Sequence, residues 1–173
     1  TSEIMEMTIC RDRWQFHLKT QGGYYHDMAR EMEALHQKYN DLGADTAALG
    51  LHALADLLER ARIRRLTRNQ HIQFRIGELM AFGETAATFA KRAALAKEGK
   101  LPEKANNRFE PAELAVMSRI YARDAAGKIA QDGLKWILGA DELSYSEIQQ
   151  FEQQMNFTKI YQAQTGLVND MDL

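Results

Sequence analysis

The sequence predicts an all-α fold, an antiparallel helical bundle of about six helices with a four-helix core. Apolar residues recur at spacings of three and four along most of the 173-residue chain, which is the period of one helix face. Only two prolines and eleven glycines interrupt the pattern, and no segment has the strict alternation of a half-buried strand. Because the predicted helices are joined by short connections, sequential neighbours are expected to pack antiparallel. Residues 1–173 are predicted to form a single domain.

The central helix of this bundle is predicted between Asn69 and Gly99. Its wide apolar stripe keeps to one helix face: Ile72, Ile76, Leu79, Gly83, Ala86, Ala90 and Ala93. Asn69 suits the N-cap position, and Gly99 followed by Pro102 is a typical helix stop. From Gly83 onward the stripe contains only glycine and alanine, so the backbone of another helix can come close there.

Three helices are predicted before the central one. The first covers residues 3–20, and its expected buried side chains are Ile4, Met7, Trp14 and Leu18. The second ends at Gly43 and has an inward stripe: Tyr25, Met28, Met32, Leu35 and Tyr39. Residues 1–43 are thereby predicted to form an N-terminal helical hairpin in front of a bundle of residues 44–173. The third helix has Asp45 as its expected N-cap and a stripe of Leu51, Leu54, Leu58 and Ala61.

Two helices are predicted after the central one, beyond a polar connection over residues 100–111. Pro111 suits the first turn of the fifth helix, which Gly139 is expected to close. Ser144 or Ser146 is the expected cap of the sixth helix, whose inward residues are Ile148, Phe151, Met155 and Ile160. The last residues, 165–173, are predicted to fray into an acidic end.

Composition excludes several functional classes. The formal net charge is −2, so no general attraction to nucleic acid or to an anionic membrane is expected. The chain has no run of about 18 apolar residues to span a membrane, and its first residues lack the basic and apolar parts of a signal peptide. A lone cysteine, Cys10, fits a reducing compartment, so the predicted location is cytoplasmic. Without an initiator methionine, the chain is expected to be a processed or excised fragment.

The acidic and histidine residues that could carry chemistry favour a structural role. Glu33 and His36 form the Glu-x-x-His half of a di-iron motif, but the sequence has no second copy, so a solvated helix face is preferred. His52 and Asp56 lie four residues apart, and His71 follows on the next helix. No nucleophile or glycine-rich oxyanion turn accompanies them, so pairing on a helix surface is the preferred interpretation.

Cys10 has two opposite interpretations. Arg11 and Arg13 stand beside it, and neighbouring cations can lower the pKa of a thiol and activate it. A lone thiol without a partner motif is more often a small core residue, and that interpretation is preferred. The sequence therefore predicts no catalytic, cofactor-binding or metal-binding residue.

The candidate site predicted from the residues is an interface. It combines the small-residue face of the central helix with the basic end of the third helix: Gly83, Ala86, Ala90, Arg64, Arg65 and Arg68. The arginines could contact a phosphate or an acidic partner domain. The small residues would allow a second copy to pack closely, as in a stand-alone helical adaptor that forms a homodimer.

The stretch QHIQFRIGELMAFGETAATFAKRAALAKEGK, residues 70–100, resembles the helix that opens the extra C-terminal bundle of very-long-chain acyl-CoA dehydrogenases. The segments 46–68 and 111–173 fit the same domain in order, so the resemblance covers roughly Ala44 to Leu173. It implies a parent enzyme of fatty-acid β-oxidation that binds FAD between domains this chain lacks. The chain alone is therefore expected to hold no FAD and to be inactive.

The resemblance leaves two placements. The chain can be the accessory bundle that covers the catalytic core of the same polypeptide and assists the dimer, or it can be the C-terminal helical domain of the core itself. The second placement requires a catalytic glutamate after a tyrosine, but Gln162 follows Tyr161 here. The accessory bundle is preferred for this reason. Membrane attachment, a property of the mammalian domain, is doubtful because no strongly basic amphipathic helix is present.

Overall fold

Helices make up the secondary structure of this protein in the computed structural model, which describes residues 2–102, 104 and 108–172. Within those ranges there is no strand, and the all-α bundle is confirmed. The eight α-helices are α1 (Ser2–Lys19), α2 (Tyr24–Lys38), α3 (Ala44–Ile63), α4 (Gln70–Lys97), α5 (Pro111–Ala140), α6 (Tyr145–Gln154), α7 (Phe157–Gln162) and α8 (Leu167–Met171). A 3-10 turn, Leu66–Arg68, joins α3 to α4. In the predicted connection over residues 100–111, positions 103 and 105–107 lie outside the described residues.

α4 is the centre of the bundle, as predicted. It contacts α1, α2, α3 and α5, and all seven residues of its predicted stripe are buried. The side chain of Asn69 accepts a hydrogen bond from the backbone N–H of His71 at 2.9 Å, which satisfies one of the free donors at the helix start. The helix ends at Lys97, and Gly99 has a positive φ of 67°. Both caps of the central helix are thus where the sequence places them.

α3 and α5 lie side by side and run in the same direction, since α4 reverses the chain between them. Close contacts at three glycines repeat every seven residues along the pair: Gly43, the residue before α3, with Arg119, then Gly50 with Ala126, and Leu57 with Gly133. A Cβ atom at Gly43 would lie 2.8 Å from the Arg119 Cα, and one at Gly50 would lie 3.1 Å from the Ala126 Cα. This α3–α5 seam therefore has no room for larger side chains.

α1 and α2 do not form the predicted hairpin. The contacts of α1 with α4, taken in chain order, are Glu6 with Gly77 and Arg13 with Glu84. Those of α2 with α4 are Glu31 with Lys91 and Lys38 with Glu98. In both series the residue numbers of the two contact partners increase together, so α1 and α2 follow each other along α4 in the same direction. The turn at Gln21 and Gly22, which have φ of 51° and 84°, offsets the chain instead of reversing it.

The buried face of α1 also differs from the prediction. Ile4, Met7 and Leu18 are exposed, and Trp14 is only half-buried. Instead, Cys10 and His17 are buried against the bundle. The prediction fails because polar partners decide which way α1 faces: the residues on its inner side find ion pairs and hydrogen bonds on α3 and α4, and these fix the helix in place.

The predicted sixth helix is broken into α6, α7 and α8. Ser144 caps α6 as predicted, in a capping box with Glu147. The first break is at Asn156, which has a positive φ of 58°. The predicted fraying of residues 165–173 is wrong for the described part, because Asp170 accepts hydrogen bonds from Arg119 at 3.0 Å and from Arg123 at 2.5 Å. These two arginines hold the pKa of Asp170 down, at about 2, and fix α8 on α5.

Candidate functional site

The small residues of the predicted interface lie inside the protein. Gly83, Ala86 and Ala90 are buried between α4 and its neighbours. A Cβ atom at Gly83 would lie within 3.2–3.4 Å of three side chains: Leu51, Leu54 and Ile129. The close approach predicted for this face is therefore made by α3 and α5 of the same chain. In this fold the face is closed to a second copy, which corrects the predicted mode of dimerisation.

The arginines of the predicted interface divide into two groups. Arg64 donates two hydrogen bonds to Asp141, at 2.8 and 2.5 Å, and so ties the end of α3 to the end of α5. This pairing lowers the pKa of Asp141. Arg65 and Arg68 are exposed on the 3-10 turn, where Arg65 adopts a left-handed conformation with φ of 56°. Neither forms an ion pair within the described ranges, so these two keep their charge available at the surface.

An apolar surface on α1, here called the α1 face, consists of three side chains that the sequence pattern assigned to the core. They are exposed and lie on one side of the helix: Ile4, Met7 and Leu18. Beside it a cleft of about 490 Å³ separates α1 from the start of α4, with Met7, Trp14 and Thr67 among its lining residues. Exposed apolar side chains grouped on one element are typical of a surface that another protein segment covers.

Gly77 allows α1 to lie directly against α4. A Cβ atom at this position would be 2.2 Å from the carbonyl oxygen of Glu6 and 3.3 Å from the Cβ of Cys10. Cys10 is buried under this contact. Burial raises the pKa of its thiol to about 11, so the activated form suggested by Arg11 and Arg13 is wrong and the core role is the correct one.

We expect the Cys10 thiol to be unreactive in the folded protein. Thiolate is the reactive form, and a pKa of about 11 leaves very little of it at neutral pH. Labelling with a disulfide reagent should be slow in buffer and complete within minutes in denaturant. Rapid labelling of the native protein would show that α1 does not stay on α4.

A partly buried polar network fixes α1 and α2 on α4. Arg13 donates to both oxygens of Glu84, at 2.6 and 2.9 Å, and the Tyr25 hydroxyl donates to the same carboxylate at 2.9 Å. Tyr25 is fully buried, and its burial raises the pKa of the phenol. A planar guanidinium matched to a carboxylate is among the stronger pairs in proteins. The network therefore determines where α1 lies and which of its sides remains outside.

A second polar network joins α2 to α3 and is here called the histidine chain: Glu33, His52, His26 and Asp56. His52 Nε2 lies 2.9 Å from Glu33 Oε1, and the Nδ1 atoms of His52 and His26 lie 2.7 Å apart. His26 Nε2 faces Asp56 Oδ1 at 3.7 Å. His52 thus bonds to α2, and Asp56 faces His26 on α2, which corrects the predicted pairing of these two residues along α3.

The other titratable candidates remain apart from one another. Glu33 contacts His52, whereas His36 faces Asp45 at 3.6 Å, so the Glu-x-x-His half-motif does not converge. His71 is exposed at the start of α4. Across the residues that the structure describes, no group of three or more histidine, cysteine or acidic residues is placed to hold a metal ion.

Comparison with protein-family models, with curated proteins and with solved structures finds no match. In the described ranges, no helix has the length and apolar character needed to cross a membrane.

The helix starts of this chain differ from those that bind a cofactor such as the FAD of the resembled family. FAD carries a pyrophosphate, which proteins usually hold on the free N–H groups of a helix N-terminus after a glycine-rich turn. In each of α4, α5 and α6 one of these N–H groups already bonds to the side chain of the capping residue, which is Asn69, Glu110 or Ser144. None of the three helices follows a glycine-rich turn, so these helix starts do not fit a dinucleotide pyrophosphate.

Proposed function

We propose that this chain is the non-catalytic C-terminal α-helical domain of an FAD-dependent acyl-CoA dehydrogenase. In this proposal it packs on the catalytic core of the same polypeptide, in the cytoplasm, and the parent enzyme holds the FAD and oxidises the acyl-CoA. The single observation that carries the packing role is the α1 face, a group of exposed apolar side chains beside a cleft. The resemblance of residues 70–100 supplies the identity of the partner.

The charges around the α1 face support a protein partner. Arg65 and Arg68 project from the 3-10 turn, and Thr67 between them lines the same cleft as Met7. A partner with an apolar centre and an acidic edge would cover both features, with aliphatic side chains contributing area and carboxylates pairing with the arginines. A catalytic core of the same polypeptide that carries such a patch would pack on the α1 face.

The deciding experiment is to read the DNA upstream of the codon for Thr1 in the same frame. A long in-frame stretch that encodes an FAD-binding core supports the proposal. A start codon immediately before Thr1 contradicts it and favours the alternative, a stand-alone helical adaptor without enzymatic activity. The purified chain offers a second check, because a yellow protein with dehydrogenase activity would also contradict the proposal.

We expect Ile4→Glu to weaken the contact between this domain and the core in the full-length polypeptide. Ile4 is 70% exposed in the chain alone, so its burial by a partner would stabilise the contact between the two domains by about 1.5–3 kcal/mol. The measurement is limited proteolysis together with the unfolding temperature of the full-length protein. Val168→Glu is the matched control, because Val168 is 67% exposed on α8.

In the isolated chain both variants should unfold at the same denaturant concentration as the wild type, since both side chains are exposed. In the full-length protein only Ile4→Glu should increase proteolysis. Equal behaviour of the two variants there would show that the α1 face has no partner in the polypeptide. The adaptor alternative makes its own prediction, a dimer of the isolated chain that Ile4→Glu converts to a monomer in light scattering.

A further inference from the structure

The geometry of the histidine chain determines which of its ring nitrogens carry a proton. The Glu33 carboxylate can only accept, so His52 Nε2 donates to it over 2.9 Å. In a neutral His52 the other ring nitrogen, Nδ1, then has a lone pair and accepts from His26 Nδ1 over 2.7 Å. His26 Nε2 remains opposite Asp56 and can carry a proton or lack one. The two facing Nδ1 atoms therefore share a single proton.

We propose that the histidine chain is a proton-operated latch between α2 and α3, closed while the facing Nδ1 atoms of His26 and His52 share one proton and opened when each carries its own. The two nitrogen atoms lie 2.7 Å apart, and if both carry a proton, neither can accept a hydrogen bond from the other. Two imidazolium rings at that distance also repel each other. The histidine chain can hold one added proton, on His26 beside Asp56. A second added proton would place an N–H group on both facing Nδ1 atoms and break the contact between the helices.

The charged groups around the latch do not remove this conflict. On α2 they are Asp27, Arg30, Glu33 and His36, and on α3 they are Asp45 and Asp56. The side chain of Gln154 from α6 donates to Asp56 at 3.3 Å, and Lys159 from α7 lines the cleft beside Glu33 and His36. Glu33 and Asp56 each face an Nε2 atom, so neither carboxylate can separate the two Nδ1 atoms.

The pH range in which the latch opens follows from the histidines. Burial lowers the pKa of His26 in the folded protein, but the proton that His26 adds leaves the helices in contact. The proton that opens the latch is the second one, which the folded protein refuses because two N–H groups cannot face each other at the Nδ1 atoms. An unfolded histidine has a pKa of about 6.5, so below that pH the unfolded chain binds more protons than the folded one. The stabilising contribution of the closed latch is therefore complete above about pH 6.5 and is lost progressively as the pH falls below that value.

The first test compares denaturant unfolding at pH 7.5 and pH 5.0. One proton that the unfolded chain accepts and the folded chain refuses raises the unfolding equilibrium constant roughly 30-fold over this range. His26→Gln and His52→Gln should each remove that factor, because either change removes one of the two Nδ1 atoms that face each other. His71→Gln is the matched control and should keep the full wild-type pH dependence, since His71 is exposed and does not belong to the histidine chain. Buried His17 affects the wild type and all three variants alike.

The second test uses the wild type alone and so does not depend on how the variants fold. Nitrogen chemical shifts of the imidazole rings report which ring nitrogen carries a proton. Above pH 7 we expect His52 in the Nε2–H form with an unprotonated Nδ1, and below pH 6 we expect loss of native signals from α2 as the second proton enters. If both rings become fully protonated while α2 keeps its native signals, or if His26→Gln retains the wild-type pH dependence, the proposal is overturned.

Discussion

Gly77→Ala is expected to push α1 away from α4 and to destabilise the protein by about 1–3 kcal/mol. The new Cβ would lie 2.2 Å from the Glu6 carbonyl oxygen, and because that atom belongs to the backbone it cannot rotate away. The whole helix must move, which weakens the burial of Cys10 and the pairing of Arg13 with Glu84. This cost opposes the gain of about 1 kcal/mol that alanine normally brings within a helix. Denaturant unfolding measures the loss of stability, and labelling of Cys10 shows whether α1 has moved away from α4.

Gly139→Ala is the matched control for this prediction. Gly139 also lies in a helix, near the end of α5, and a Cβ there would meet nothing within 4 Å. Alanine should therefore stabilise the protein by up to about 1 kcal/mol and leave Cys10 unreactive. If Gly77→Ala were as stable as the wild type and kept its thiol protected, the close contact between Glu6 and α4 would be incorrect.

Gly43→Ala is expected to cost about 2–4 kcal/mol, because two separate penalties add. Gly43 has φ of 72°, a left-handed conformation that costs a residue with a Cβ about 1–2 kcal/mol. The added Cβ would also lie 2.8 Å from the Arg119 Cα, at the first contact of the α3–α5 seam. The measurement is the free energy of unfolding from denaturant titration.

Gly99→Ala separates the two penalties. Gly99 has a similar φ of 67°, but a Cβ there would have nothing within 4 Å. Its replacement should therefore cost only the conformational part, about 1–2 kcal/mol. The difference between the two variants gives the cost of the contact with α5. Equal losses at Gly43 and Gly99 would indicate that the seam has more space than the structure implies.

The helices of the core could be predicted because their apolar stripes leave one orientation. In α4 the seven predicted residues from Ile72 to Ala93 are all buried, and its two caps have the residues that caps require. The orientation of α1 could not be predicted in the same way. Its apolar side chains, such as Ile4 and Phe16, lie on more than one side, and the side that packs contains Arg13 and His17. Partners distant in sequence decided which side is buried.

The histidine chain shows how far the candidate site could be predicted. His26 and Glu33 are seven residues apart and so lie on one face of α2, as His52 and Asp56 do on α3. The two helices were expected to be antiparallel neighbours, and combining that expectation with the shared faces would have placed the four residues together. The spacing along each helix alone suggested only separate pairs. The contact distances decide the chemistry, and a sequence does not contain them.

The α3–α5 seam also limits how the protein can move. Its contacts come every seven residues, and each combines a glycine with a larger partner: Gly43 with Arg119, Gly50 with Ala126, and Leu57 with Gly133. If α5 slid by seven residues in one direction, Leu57 would collide with Ala126, and in the other direction Gly50 would face Gly133 across a gap. Sliding in one direction is therefore blocked by a collision, and sliding in the other direction is disfavoured by the packing that is lost. Within the described residues, a shape change is therefore easier at α1, α2 and α8, which ion pairs and hydrogen bonds attach to the core helices from outside.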